Sequence, residues 1–444
     1  MGTLPVSAQT GPVPGTDAAV PVAAKNGGER VVNLRLAHRS LIVLRPLDPW
    51  RVLWQGNGAS GRTPGEEHDI FTRSGRLALW VGLRALQLPE GARIGVQPFL
   101  PYEVFEMIRH AGYQPRFVDM NRATLNLSLK DLTRKKNELD ALLVAFTFGN
   151  PLPVAQVRRV VGRSLPVIVD LAHSLPTPRV LRAVRGADMA FFSFRFGKLL
   201  SALEGGLLKV LKPRYLERAR EAADQLQRMT KPGRGHPFLQ ALSLSARCLA
   251  VQRPLYGLFS SPVKQAVGDS VDLARENRLE FGPVRALDQL LMNRYLSTDP
   301  LAMPAIHHLF RRHAFAANLV DHWRPEGIQV PRFFKLAEHH FFKLPLLFQD
   351  EGTRRAFRRA LYRVGIDAST MWHKCISDAY QRYGYTGDCP VAEWVVPRLL
   401  AVSLHRDWML LKFVQVLRAF LHLPSPGAAQ QWQAELAVPR SIER

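Results

Sequence analysis

The chain has 444 residues, 47% of them hydrophobic and 22% charged, the make-up of a folded soluble protein long enough for two or three lobes with buried cores. Lys and Arg total 60 against 37 Asp and Glu, a net charge of +23, which suits a polyanion, an anionic membrane surface or phosphorylated small substrates. The basic residues are scattered, without zinc-finger spacing, an aromatic RNA-binding signature or a basic zipper, so no nucleic acid partner is expected.

The three cysteines, Cys248, Cys375 and Cys389, are widely separated. That spacing argues against a metal site or a disulfide framework and fits a reduced, cytoplasmic compartment. Residues 1–30, rich in Gly, Pro, Ala, Thr and Val without period, read as a disordered leader. They lack the basic-then-apolar pattern of a secretory signal.

From Arg73 onward short apolar runs alternate with helical patterns. Ser74-Gly75 opens a helix carried by Leu77, Leu79, Val81, Leu83 and Leu86. A strand at Ile94–Val96, a helix at Tyr102–His110 and a strand at Pro115–Val118 follow. Leu142–Phe146 reads as a buried strand, Val154–Val161 as a helix, and Val167–Val169, Met189–Phe192 and Leu207–Val210 as further strands. Continuous apolar strands separated by helices indicate an α/β fold, a mainly parallel sheet covered on both faces. Its ligand site belongs at the carboxyl ends of the strands, where Ser74, Asp170 and Ser193 fall.

Residues 31–281 are therefore assigned to a large α/β domain, with a basic amphipathic helical stretch at about 213–281 broken at Lys231–Gly235. Its most apolar part, Phe238–Phe259, carries Arg247, Gln252 and Arg253 and does not read as a membrane span. More helix is expected through Leu287, Leu290, Leu291 and Tyr295 to Trp323. Residues 282–444 are assigned to a smaller α+β domain with Phe341–Leu347 in its core.

Two residues set the chemistry. Lys198 follows the apolar run ending Phe-Arg-Phe-Gly, and Asp170 ends Val-Ile-Val-Asp. A loop lysine and an aspartate at the end of an earlier strand are the minimum kit for pyridoxal 5'-phosphate. The amine holds the aldehyde as a Schiff base, and the carboxylate keeps the pyridine nitrogen protonated. Alone, such a lysine is ordinarily a surface residue, such an aspartate a cap and His173 a core histidine. The pairs His307-His308 and His339-His340 have no acidic or cysteine partners at ligand spacing and read as structural, so no metal is expected. Trp372-His373 and Tyr380, Tyr383 and Tyr385 read either as the mouth of the site or, by default, as core packing.

These motifs, in their order, resemble the fold-type I pyridoxal phosphate enzymes, and among them the DegT/DnrJ/StrS sugar-nucleotide aminotransferases, from about Arg73 to Leu423. Ser74-Gly75-Arg76-Leu77-Ala78-Leu79 is similar to the family's Ser-Gly-Thr-Ala-Ala-Leu, at a helix start that holds the cofactor phosphate. Arg76 stands where threonine is usual. Gln97–Tyr102 resembles the proline-led loop whose aromatic, here Tyr102, stacks on the pyridine ring. Ala111–Asp119, with Thr124–Asn126 after it, also resembles the family. The resemblance makes Asp170 the ring-nitrogen partner, His173 the partner of the phenolic oxygen, Ser193 a phosphate ligand and Lys198 the Schiff-base lysine. Asp388–Glu393, Arg398 and Ser403-Leu404-His405 resemble its closing segment. The family's Gly-x-Asn-x-Arg-Met run reads Gly282-Pro283-Val284-Arg285-Ala286-Leu287 here, without the asparagine, and leaves Arg285 for a substrate anion.

The resemblance implies a cytoplasmic homodimer that transfers an amino group, with glutamate as donor, to a keto-sugar nucleotide in cell-surface glycan or secondary-metabolite biosynthesis. The alternatives are a catalytically altered or regulatory relative, and a membrane-associated accessory protein of a glycan pathway. In the latter the basic helical stretch would rest on the anionic inner face of the membrane.

Overall fold

The computed structural model describes residues 33–38, 40–55, 66–228, 236–260, 284–298, 303–323, 327–331 and 342–420. The expected leader, the break at Lys231–Gly235, Gly282-Pro283 and His339-His340 lie outside them.

Seven strands make the main sheet, in the order β1-β7-β6-β5-β4-β2-β3. They are β1 (Asp69–Thr72), β2 (Arg93–Val96), β3 (Gln114–Phe117), β4 (Ala141–Ala145), β5 (Val167–Asp170), β6 (Met189–Ser193) and β7 (Gly206–Val210). β6, β5, β4, β2 and β3 run parallel, whereas β7 is antiparallel to both of its neighbours. This is the mainly parallel sheet expected from the continuous apolar runs. Every residue of β4 and β5 is buried, because successive side chains point to opposite faces and both faces are covered. Leu143 and Ile168 enter the core on one side, Leu142, Val144, Val167 and Val169 the core on the other.

Helices supply the cover. α1 (Asp48–Gln55) precedes the sheet; α2 (Gly75–Ala85), α3 (Tyr102–His110), α4 (Leu129–Lys135), α5 (Val154–Val161) and α6 (Pro178–Ala183) fall between its strands. α2 buries Leu77, Leu79, Trp80, Val81 and Leu83. α7 (Leu216–Arg228) and α8 (Pro237–Ala250) follow β7. α8 turns Ala241, Leu244, Ser245 and Cys248 inward, and Trp50 of α1 donates its indole N–H to Ser245 Oγ at 2.9 Å. The opposite face leaves Leu239, Leu242 and Leu249 about half exposed. No helix among the described residues is long and apolar enough to cross a membrane.

α9 (Ala286–Leu296) sends Leu287, Leu291, Met292 and Tyr295 into the core of the main sheet. Beyond it, β8 (Ile328–Gln329), β9 (Leu344–Phe348) and β10 (Leu399–Val402) form an antiparallel sheet, ordered β10-β9-β8. It is backed by α10 (Pro304–Trp323), α11 (Glu351–Arg363) and, after α12 (Cys375–Arg382) and α13 (Pro390–Val395), by α14 (Asp407–Phe420). The closing segment is tied to the end of β3. Asp388 pairs with Arg116 at 2.7 Å and Lys135 at 2.8 Å, and Asp119 accepts the Val391 and Ala392 N–H groups that open α13, each at 3.0 Å.

Candidate active site

The chain enters α2 through an extended Ser74 whose hydroxyl accepts the Leu77 N–H at 3.4 Å. The first-turn N–H groups have no carbonyl one turn earlier, so they face whatever lies at the strand ends. Gly75 is required there. A Cβ at that position would stand 2.7 Å from the Ser193 Cβ, so only a glycine lets the helix start meet the end of β6. The Ser193 hydroxyl thereby comes to the same spot as the free helix end.

Asp170 closes β5, 8% exposed, with one carboxylate oxygen accepting the Ala172 N–H at 2.8 Å. Burial raises its pKa to about 6, against the opposing effects of that N–H and of Lys198. Lys198 sits in the turn after β6, its N–H bonded to the Arg195 carbonyl at 3.0 Å and its own carbonyl accepting the Ser201 hydroxyl at 2.6 Å. Burial lowers its pKa to about 8, opposed by Asp170 and helped by Arg195. Burial outweighs the mutual attraction in both partners. The lysine is therefore about one-tenth neutral at pH 7, far more than an exposed lysine, and only the neutral amine is a nucleophile.

His173 is stacked between two rings, Phe342 at 4.6 Å and Trp372 at 5.3 Å. Burial, then Lys198 and Lys343, drive its pKa well below the ordinary imidazole value, so the ring is neutral. Ser74, Gly75, Arg76, Tyr102, Asp170, His173, Ser193 and Lys198, all expected from sequence, line one cavity of about 670 Å³. The Tyr102 ring is partly buried in its wall, with the Arg382 guanidinium 5.4 Å above it. Arg285 does not join them. It precedes α9 and lies 3.7 Å from Glu204, which also holds Arg73 at 2.7 Å.

Residues 61–235 match the model of the DegT/DnrJ/EryC1/StrS aminotransferase family. That stretch contains the eight cavity residues just named; Arg285 and the closing segment lie beyond it. GDP-perosamine synthase of Escherichia coli O157:H7 is 28% identical over 138 residues, 30% of this chain and 38% of that relative's length. The fold is shared with solved structures. The aminotransferase TlmJ from Streptoalloteichus hindustanus aligns over 87% of this chain and 99% of its own, with TM-score 0.61 and 17% identity. NtdA from Bacillus subtilis, solved with bound cofactor PMP, aligns over 84% of this chain and 81% of its own, with TM-score 0.57 and 15% identity.

The cavity's donor set fits the phosphorylated cofactor of the DegT/DnrJ/EryC1/StrS enzymes. A helix start, two serine hydroxyls and Arg76, whose buried Nη1 has no hydrogen-bond partner, suit a phosphate. A carboxylate, a neutral imidazole and a lysine of lowered pKa in the same cavity suit the ring and its aldehyde.

Several cavity residues escaped the sequence reading. Arg195, Glu103, Phe342, Lys343, Asp378 and Arg382 all line it. Of the two readings of Trp372-His373, core packing gives way to the site: both line the cavity, and the Trp372 indole lies within 4° of parallel to His173. Met371 and Trp372 take positive φ values of 33° and 45°, unusual for non-glycine residues. That local signal is conformational and leaves no mark in composition. Tyr383 and Tyr385 are buried core residues, whereas Tyr380 is about half exposed and does not pack in the core.

Proposed function

We propose that this chain is a pyridoxal phosphate-dependent aminotransferase acting on a keto-sugar nucleotide, with glutamate as amino donor. The observation that carries the reading is the meeting of Lys198 and Asp170 in the cavity that the start of α2 faces. When bound there, pyridoxal phosphate supplies an electron sink for a carbanion at the carbon bearing the transferred nitrogen.

The chain's own residues have separable tasks. The α2 start, Ser74, Ser193 and Arg76 bind and orient the phosphate. The Asp170 carboxylate, in a buried setting that strengthens any charge pair, holds a proton on the pyridine nitrogen. His173, neutral and fixed between two rings, offers a ring nitrogen to the phenolic oxygen. Lys198 Nζ, neutral above about pH 8, takes and returns the proton at the reacting carbon. Phe342 and Trp372, stacked on His173 in the cavity wall, limit the access of water to it.

The nucleotide-sugar assignment is supported by the likeness to GDP-perosamine synthase and by the cavity's charge. Arg76, Arg195, Lys198, Lys343, Lys374 and Arg382 face three carboxylates, Glu103, Asp170 and Asp378, a balance that suits a diphosphate. The reading extends to a cytoplasmic homodimer in which Arg285 meets a substrate anion. The half-exposed Leu239, Leu242 and Leu249 beside exposed Arg247 favour an added peripheral contact with anionic membrane.

The test is the visible spectrum of the purified protein with added pyridoxal phosphate. A band that glutamate bleaches, and that Lys198→Ala lacks, is expected. A protein that takes up no cofactor would overturn the reading. A screen of keto-sugar nucleotides with the bleached protein then identifies the acceptor by return of the band.

A further inference from the structure

A second cavity, of about 530 Å³, lies beside the first and shares His373 with it. Arg354 of α11 lines it although only 4% exposed. Its Nη2 donates to Glu351 at 3.0 Å, while Nε and Nη1 are buried without any hydrogen-bond partner. Glu351 also holds Arg355 at 3.3 Å, so one half-exposed carboxylate serves two guanidinium groups. A buried cation with two idle nitrogens and a shared counter-charge is costly unless something further satisfies it.

The surroundings narrow what that is. Thr370 and Ser377 bring hydroxyls to the cavity, and Ile376 and Val396 give it an apolar wall. The other carboxylate present, Glu393, accepts the Tyr380 and Tyr385 hydroxyls through Oε1 at 3.0 and 2.9 Å. The volume exceeds that of a bare ion and leaves room for an organic body. We propose that this cavity binds a small organic oxyanion, a carboxylate or phosphate ester, with Arg354 turning its idle nitrogens onto the anionic group. The site is separate from the pyridoxal phosphate wall and does not depend on that assignment.

The experiment is a thermal-melting series on the purified protein at constant ionic strength, with inorganic phosphate and, separately, acetate as probes. A saturable rise in melting temperature is expected with at least one of them, and the preferred probe distinguishes the two anion classes. Arg354→Met should weaken that response about tenfold or more, the worth of a charge-assisted hydrogen bond. Thr370→Val, in the same cavity, guards against a folding defect in the arginine variant and should weaken it about two- to fivefold. Arg76→Gln, which alters the first cavity, should remove only the share of a phosphate response that the first cavity contributes and leave the Arg354-dependent share unchanged. No saturable response to either anion, responses equal in wild type and both second-cavity variants, or a response lost only in Arg76→Gln would overturn the proposal.

Discussion

Lys198 is worth more as a base than an ordinary lysine because burial has removed part of the cost of losing its proton. With a pKa of about 8 it is half neutral two pH units below an exposed lysine, whose value is about 10.4. Reagents that attack neutral amines should therefore label Lys198 with a midpoint near pH 8, read by peptide mass spectrometry of the cofactor-free protein. Asp170 is one of the charges holding that value up, so Asp170→Asn should move the midpoint lower. A midpoint equal to that of the surface lysines in both proteins would show that the site does not tune this amine. Lys198 and Asp170 were legible in the sequence because each follows a short apolar strand. Phe342 and Lys343 were not, and Trp372 only as one of two readings, because they reach the cavity from segments more than 140 residues further on. Their own neighbourhoods in the sequence look like ordinary core.

At the level of elements, one contact sets a strand end against the helix that opens the site, and another locks the opposite end of the sheet. β7 begins at Gly206, and a Cβ there would lie 2.3 Å from the carbonyl carbon and oxygen of Ser74. Gly206→Ala must push the start of α2 away. A stability loss of about 2 kcal/mol or more in urea is expected, together with weaker cofactor uptake. Unchanged cofactor affinity would show that the helix start does not hold the phosphate.

The second contact is Asp188, fully buried just before β6. It receives the Val167 N–H at 2.7 Å, Arg158 at 2.6 Å, Lys212 at 2.8 Å and Arg214 at 3.0 Å. Burial pushes this carboxyl up, but Lys212, the Val167 N–H and Arg158 outweigh burial and hold its pKa below the ordinary value. Its contribution is therefore present above the unfolded carboxylate pKa and lost as pH falls through the lowered folded value. Asp188→Ala should cost about 3–5 kcal/mol at pH 7 and progressively less below about pH 4. A deficit that is constant with pH in denaturant melts would show that the charge is not what matters. The β5 and β6 runs were plain in the sequence, but this lock was not. Its four partners come from two stretches, one before it at Arg158 and Val167 and one after it at Lys212 and Arg214, and nothing local marks Asp188 as buried.

For the molecule as a whole, the order of apolar strands and helices made the mainly parallel sheet legible, while the surface had to be seen. Net charge alone did not say where a charged partner would meet the protein. α8 now offers a place: its inner face is committed to Trp50 and the core, and its outer face shows Leu239, Leu242 and Leu249 next to exposed Arg247, with exposed Arg253 in the turn beyond and exposed Leu258 and Phe259 in the helical residues after that turn. An apolar ridge beside cations on a molecule of charge +23 matches the boundary of an anionic bilayer, where each basic residue near the surface contributes about 1 kcal/mol. The protein should float with vesicles containing anionic lipid and not with neutral ones. Raising salt to about 1 M, where the screening length falls to roughly 3 Å, should release most of it. Leu242→Glu with Leu249→Glu should abolish flotation at low salt while leaving the visible spectrum of the bound cofactor unchanged, because both side chains lie outside the cavity. Flotation that ignores both salt and this double substitution would place the attraction elsewhere on the surface and remove α8 from it.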